Sequence, residues 1–306
     1  MQIAGTVGSA QALIANAVMA HTPGVHVFVL NDREEAAYFM NDLEALRPPP
    51  VSVRAESRTV PGMRAYFFPA PSRTPYDPDG HHDGERVTRT EVLEVLMQRT
   101  AAQHPSPPSH HTPPLLSSSP ALTIVTYPEA LVPLVVAKET MQKNTLTIKR
   151  GEELPIDTLE EWMHETGFQR VEFVYEPGQF SIRGGIVDIF SYGSDKPYRI
   201  ELYGDTVESV RRFGPEDQLT VERLAEAVIV PDLEASGSSS RDPEGTQTFF
   251  AQLPEGAVIW LKDPKAISDA ATKALQLLND LYARTPEKGK HAKPETLLAS
   301  DSELIK

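Results

Sequence analysis

The chain has 306 residues, with 29 Lys+Arg against 43 Asp+Glu, a formal charge of −14 and no cysteine. That length suits two compact domains, or one large domain carrying an insertion. A composition 40% hydrophobic and 24% charged is globular; it excludes disulfide frameworks, thiolate metal sites, cysteine nucleophiles and a broad nucleic-acid-binding face.

The first half alternates helix and strand signals. Ser9 precedes a helix over Ala10–Ala20, with Leu13, Ile14, Ala17 and Val18 as its apolar face and Thr22-Pro23-Gly24 as its stop. Val25–Leu30 is a β-branched run read as a buried strand. Asp32 caps a second helix, with Glu35 as the acidic partner of a capping box and Phe39, Met40, Leu43 and Leu46 as its stripe. A strand near Ala65–Phe68, a helix around Glu85–Met97 and a strand at Leu122–Val125 follow. This alternation predicts a parallel sheet with helices packed on it.

From His104 to Pro120 the chain is rich in Pro, Ser and His, and it is read as a mobile insertion over about 100–120. Its three histidines, His104, His110 and His111, have no carboxylate or second histidine pair spaced to close a metal shell. From Thr145 the period changes. A helix is expected at Asp157–Glu165, with Asp157 and Glu160 as a capping box and Gly167 at its exit. Short strands follow at Arg170–Glu176, Gln179–Arg183, Ile186–Phe190, Tyr198–Tyr203 and Val207–Phe213, separated by turn residues. They predict an antiparallel meander, a different architecture from the first half. After Thr220, strands at Val228–Val230 and Ala257–Leu261 and a helix at Ala266–Tyr282 are expected. Residues 235–246 are Gly/Ser-rich, and a polar tail runs from Arg284 to Lys306.

The first helix opens on Gly5-Thr6-Val7-Gly8-Ser9-Ala10-Gln11-Ala12. A phosphate-binding loop needs Gly-Lys-Ser/Thr where this chain has Ala10, Gln11 and Ala12. Gln11 removes the cation for the β- and γ-phosphates, Ala12 the hydroxyl for magnesium, and Ala10 adds a methyl where close backbone approach is wanted. Triphosphate hydrolysis is therefore not supported. Asp32 reads as a helix cap rather than a magnesium ligand. Asp77–Asp83 resembles a calcium loop until His82 takes the position of the required glycine. Adjacent His81 and His82 point apart, there is no G-x-S-x-G, and no acid/base pair is interpretable. No catalytic residue, metal or cofactor is expected.

The most informative stretch runs Gly167-Phe168-Gln169-Arg170 through Gln179-Phe180-Ser181-Ile182-Arg183-Gly184-Gly185-Ile186-Val187-Asp188-Ile189-Phe190 and on to Arg199-Ile200-Glu201-Leu202-Tyr203-Gly204-Asp205 and Ser209. It closely resembles the module shared by UvrB and the bacterial transcription-repair coupling factors, with its G-x-F-x-x-R-G-x-x-x-D-x-F core followed by R-x-E-x-x-G-D-x-x-x-S. Phe67-Phe68-Pro69 with Thr74-Pro75-Tyr76-Asp77 resembles a stretch of the coupling factors' first domain. The losses at Ala10, Gln11 and Ala12 favour the coupling-factor family over UvrB.

The resemblance implies an α/β fold: a degenerate RecA-like, parallel-sheet lobe formed by 1–143 and 221–306, with a small α+β antiparallel-sheet domain inserted at 144–220. It implies a non-enzymatic adaptor, cytoplasmic and without membrane contact, that recruits UvrA to stalled RNA polymerase in transcription-coupled excision repair. The family as a whole is an ATP-dependent DNA translocase. Its polymerase and DNA contacts belong to parts without counterpart here, and a C-terminal domain masks the UvrA surface. The UvrA-binding residues carried over are Arg170, Arg183, Arg199 and Glu201; Ser181 stands where UvrB has another arginine. The rival readings are an ATP-binding lobe of UvrB type and a direct DNA-binding module. Period-two alternation about a Pro177-Gly178 turn agrees with this surface. It puts Val171, Phe173, Tyr175, Phe180 and Ile182 inside and Arg170, Glu172, Ser181 and Arg183 outside, with Glu172 opposite Arg183. It likewise turns Arg199 and Glu201 out.

Overall fold

The computed structural model describes residues 5–6, 8–46, 64–72, 76, 83–103, 121–233, 245–285 and 291–304. The insertion at 104–120 with its histidines, the Asp77–His82 stretch and most of the Gly/Ser-rich segment lie outside them.

The first unit is a parallel sheet with helices. In chain order it comprises α1 (Ala10–Met19), β1 (Val25–Val29), α2 (Arg33–Ala45), β2 (Arg64–Phe67), α3 (Asp83–Gln103), β3 (Leu122–Thr126), α4 (Pro128–Leu131), β4 (Val135–Val136) and α5 (Lys138–Asn144). The second unit runs β5 (Leu146–Lys149), α6 (Ile156–Glu165), β6 (Gln169–Arg170), β7 (Gln179–Arg183), β8 (Ile186–Ile189), β9 (Tyr198–Tyr203), β10 (Thr206–Phe213), β11 (Thr220–Leu224) and β12 (Glu226–Ile229). The chain then returns through β13 (Thr246–Gln247), α7 (Phe249–Gln252), β14 (Val258–Leu261), α8 (Pro264–Arg284) and α9 (Asp301–Leu304).

The parallel sheet has the order β14-β1-β3-β2, so the strand at 258–261 completes the sheet begun at residue 25. The lobe is thus built from both ends of the chain. Every side chain of β1 and β3 is buried, as expected of strands covered on both faces. His26 belongs to this packing: its Nε2 contacts the Thr22 carbonyl oxygen at 2.8 Å and its Nδ1 accepts from Trp260 Nε1 at 3.1 Å. In α2 the expected cap is present, since the Glu35 N–H donates to Asp32 Oδ1 at 2.8 Å. In α1 the buried stripe is Ala12, Ala15 and Met19, whereas Leu13 is 55% exposed. The expected face was rotated because two of its three buried side chains are small and contribute little to a hydrophobic pattern.

The inserted unit is a six-stranded sheet, β11-β10-β9-β8-β7-β6. One face is covered by Leu159 and Met163 of α6 and by Ile148, Ala227 and Ile229 of the β5–β12 pair. These pack on Phe180, Val187, Ile189, Ile200 and Val210. Entry strand β5 and exit strand β12 lie side by side, antiparallel. The second core runs through Ile229, while Val230 already packs in the lobe core. The unit therefore extends about ten residues beyond the boundary expected at 220.

Two local expectations fail. Helix α6 has Pro155, not Asp157, at its N-cap and no side-chain cap bond; Asp157 lies in the first turn. The larger failure is the Pro177-Gly178 hairpin. Strand β6 is only two residues long and pairs in parallel with β7, whose antiparallel partner is β8 across the Gly184-Gly185 turn. Side chains replace the ladder in the segment between β6 and β7. Gln179 Oε1 accepts from the N–H groups of Tyr175 (2.9 Å) and Glu176 (3.0 Å), and Ser181 Oγ donates to the Glu172 carbonyl oxygen at 2.9 Å. Alternation thus breaks: Val174 and Ser181 are buried, whereas Phe173 and Tyr175 are exposed.

Candidate protein-docking face

The sheet face opposite α6 carries a ladder of charged side chains. Register places Ser181 beside Asp188, Asp188 beside Arg199, Arg199 beside Arg211 and Arg211 beside Arg223, one residue from each of β7 to β11. Asp188 is the anchor, with 1% of its side chain exposed. Its Oδ2 accepts from Arg183 Nη2 at 2.6 Å. Arg199 binds it bidentately, Nε to Oδ1 at 2.6 Å and Nη2 to Oδ2 at 2.8 Å. Planar fork geometry of this kind fixes a guanidinium in place. Those hydrogen bonds hold Arg199 above its ordinary pKa, against the opposing effect of burial. Arg199 Nη2 also donates to Gln218 Oε1 at 2.7 Å, and the guanidinium lies 4.2 Å from the Phe213 ring centroid.

Beside this row, Glu201 accepts from Ser209 Oγ at 2.6 Å and pairs with Arg211. The Ser209 hydroxyl bond, with Arg211, lowers the Glu201 pKa against partial burial. A bulge between Val207 and Ser209 keeps Ser209 opposite Glu201. Arg183 Nη1 donates to the carbonyl oxygen of Glu172 at 2.8 Å, so the expected side-chain pair with Glu172 is a main-chain contact. The Arg183 guanidinium also lies 5.1 Å from the Phe173 ring centroid. Phe173 is 45% exposed, and Tyr203, last residue of β9, is 81% exposed.

Of the four arginine and glutamate residues expected at the surface, the structure brings Arg183, Arg199 and Glu201 together. Arg170 lies apart: it pairs with Glu160 of α6, on the helix-covered side of the sheet. Arg211, Ser209, Gln218 and Arg223 complete the face and were missed, although alternation in the expected strand at Val207–Phe213 already placed Ser209 with Arg211. Asp188 joins two arginines across three strands.

The glycine-rich loop has a different character. Gly5 and Gly8 have positive φ (77° and 56°), Ser9 makes no side-chain cap, and Ala12 is fully buried. Gly5, Thr6 and Gln11 border a cavity of about 580 Å³ whose walls also include Phe28, Phe39 and Trp260. Lys262 on its wall is engaged by Glu35. Among the described residues no cluster of His, Cys, Asp or Glu could hold a metal ion. No helix among them is long and apolar enough to cross a membrane.

Comparison with known proteins agrees with this division. Residues 146–234 match the family described as UvrB interaction domain. The inserted unit is therefore a domain of that class, on an α/β lobe. The chain is also homologous to transcription-repair-coupling factors over about half its length. It is 34% identical to the Bacillus subtilis protein over 151 residues, 49% of this chain and 12% of the relative. It is 31% identical to the Haemophilus influenzae protein over 133 residues, 44% of this chain and 11% of the relative. With the Myxococcus xanthus protein the identity is 42% over 81 residues, 26% of this chain and 7% of the relative. The matched segments are thus a small fraction of these relatives' own length.

Proposed function

We propose that the open face of the six-stranded sheet docks UvrA, and that the chain is a non-catalytic adaptor recruiting it to stalled RNA polymerase in transcription-coupled excision repair. The observation that carries this reading is an arginine-rich ladder, ordered by a buried carboxylate and bordered by exposed Phe173 and Tyr203, on a chain of net charge −14. Interfaces favour arginine and aromatic side chains at their energetic centres. The match of residues 146–234 to the UvrB interaction domain supports UvrA as that partner. On this reading Arg183, Arg199 and Glu201 contact UvrA, with Arg211 and Arg223 beside them. Arg170 is an edge contact at most. Contacts to polymerase and DNA, and any masking of the face, belong to further parts of a protein as long as the relatives.

The experiment is calorimetric titration of UvrA into the 306-residue chain and its variants. Arg223→Glu and Phe173→Ala each change an exposed residue. Each is expected to weaken binding at least tenfold without moving the unfolding midpoint, whereas Arg170→Ala leaves affinity within threefold. Undiminished binding by both of the first two variants would place the docking surface elsewhere.

A further inference from the structure

The lobe holds the inserted domain through one side of α3. Arg86 pairs with Asp232 just beyond β12, and its guanidinium lies 5.8 Å from the Tyr192 ring centroid. Eight residues on, about 12 Å along the helix axis, Glu94 reaches the same junction. The segment it meets is tightly stitched. Ser191 Oγ accepts from the N–H groups of Val230 (2.8 Å) and Gly193 (3.1 Å), and the Tyr192 N–H donates to the Val230 carbonyl oxygen at 3.0 Å. Gly193 is closely approached: a Cβ there would lie 2.0 Å from Glu94 Oε2 and 3.0 Å from Val230 Cγ2.

Glu94 is 95% buried, and only half of its carboxyl is satisfied. Oε1 accepts from Gln98 Nε2 at 2.8 Å, while Oε2 has no hydrogen-bond partner. The charged groups acting on it are Arg212 of β10 and Glu91 of its own helix. Arg212 is itself committed: Nη2 donates to the Tyr198 hydroxyl at 3.3 Å, Nη1 lies 3.8 Å from Glu222, and Nε is buried without a partner. Among the described residues the junction therefore suits a neutral carboxylic acid and offers a carboxylate no direct counterion.

We propose that Glu94 is a proton-dependent latch between the lobe and the UvrB interaction domain: as the neutral acid it closes the contact with Gly193, and on ionising it withdraws and loosens that contact. Burial, opposed by Arg212 and reinforced by Glu91, pushes its pKa up to about 8 from 4.5. The closed junction binds a proton that the opened one releases. The latch contribution is thus full at and below the ordinary carboxylate range, declines as pH rises, and is gone above about 8. The Arg86–Asp232 pair separately anchors α3 to the segment just beyond β12. This inference is independent of which partner the open face takes.

The test is amide hydrogen exchange on the full 306-residue chain between pH 6 and 9, corrected for intrinsic rates. Protection of Tyr192, Gly193 and Val230 is expected to fall about tenfold per pH unit up to pH 8 and then level, as release of one proton requires. In Glu94→Gln it is expected to be flat. A parallel fall in both proteins overturns the latch, and so does a flat profile in the wild type. Should the variant fail to fold, carboxyl ¹³C titration of wild-type Glu94 decides: a midpoint near 8 supports the latch, and one in the ordinary carboxylate range refutes it.

Discussion

Replacing Asp188 by Ala is the sharpest perturbation of the open face. It removes one carboxylate that accepts three hydrogen bonds, and it leaves two guanidiniums without their common counterion. Removing one partner of a buried ion pair costs about 3–5 kcal/mol. The two arginines weigh unequally, since the Arg199 side chain is 14% exposed and that of Arg183 is 35% exposed. Water screens Arg183, so its share is at most about 1 kcal/mol. Arg199 retains Gln218 and the Phe213 ring, which offsets part of its loss. The expected cost of Asp188→Ala is therefore about 3 kcal/mol, against about 1 kcal/mol or less for Arg183→Ala. Urea denaturation followed at Trp162, which packs against the inserted domain's core, reads this directly when Trp260 is replaced by Phe. Asp188 and Arg199 should couple by about 2 kcal/mol in a double-mutant cycle. A cost below about 1 kcal/mol for Asp188→Ala, or no coupling, would refute the view that this carboxylate organises the face.

Gly185→Ala should destabilise the inserted domain by about 1–3 kcal/mol, because its Cβ would lie 2.7 Å from the Leu202 carbonyl oxygen; the same urea assay measures it. Calorimetry with ATP and magnesium should detect no micromolar binding at Gly5–Ala12, and saturable binding there would revive the nucleotide reading. Between pH 6 and 8, Glu94→Gln should gain stability relative to wild type as the pH rises, the sign set by a carboxyl whose folded pKa is raised; urea midpoints at several pH values check it.

The parts legible in the sequence were those governed by local chemistry. Strands Gln179–Arg183 and Tyr198–Tyr203 have the bounds their alternation and turns predict. The Asp32 cap follows from residue type alone. The hairpin failed because alternation assigns faces only when a strand is paired along its length. Gln179 and Ser181 satisfy the backbone of the preceding segment with side chains, and Gly184, with φ of 61°, offers β7 a better partner in β8. Arg170 and Arg183 consequently lie on opposite sides of the sheet. Glu94 was invisible for a different reason. Its chemistry arises where α3 meets a segment about 100 residues away in sequence, and no spacing encodes that contact.

The ladder also changes which substitution can test docking. Charge reversal at Arg183 looks harmless for an outward-facing arginine, and sequence alone recommends it. In the fold, Arg183→Glu sets a second carboxylate against buried Asp188, so lost binding would not separate a missing contact from a disordered face. Arg223 avoids this because it stands exposed on edge strand β11, in line with the ladder but away from Asp188. The same logic applies inside β10. Arg211 faces outward to Glu201, while its neighbour Arg212 turns inward towards the Tyr198 ring and the field of Glu94. Adjacent residues of one strand thus serve the docking face and the junction. Arg223 and Glu94 therefore allow the two to be tested separately.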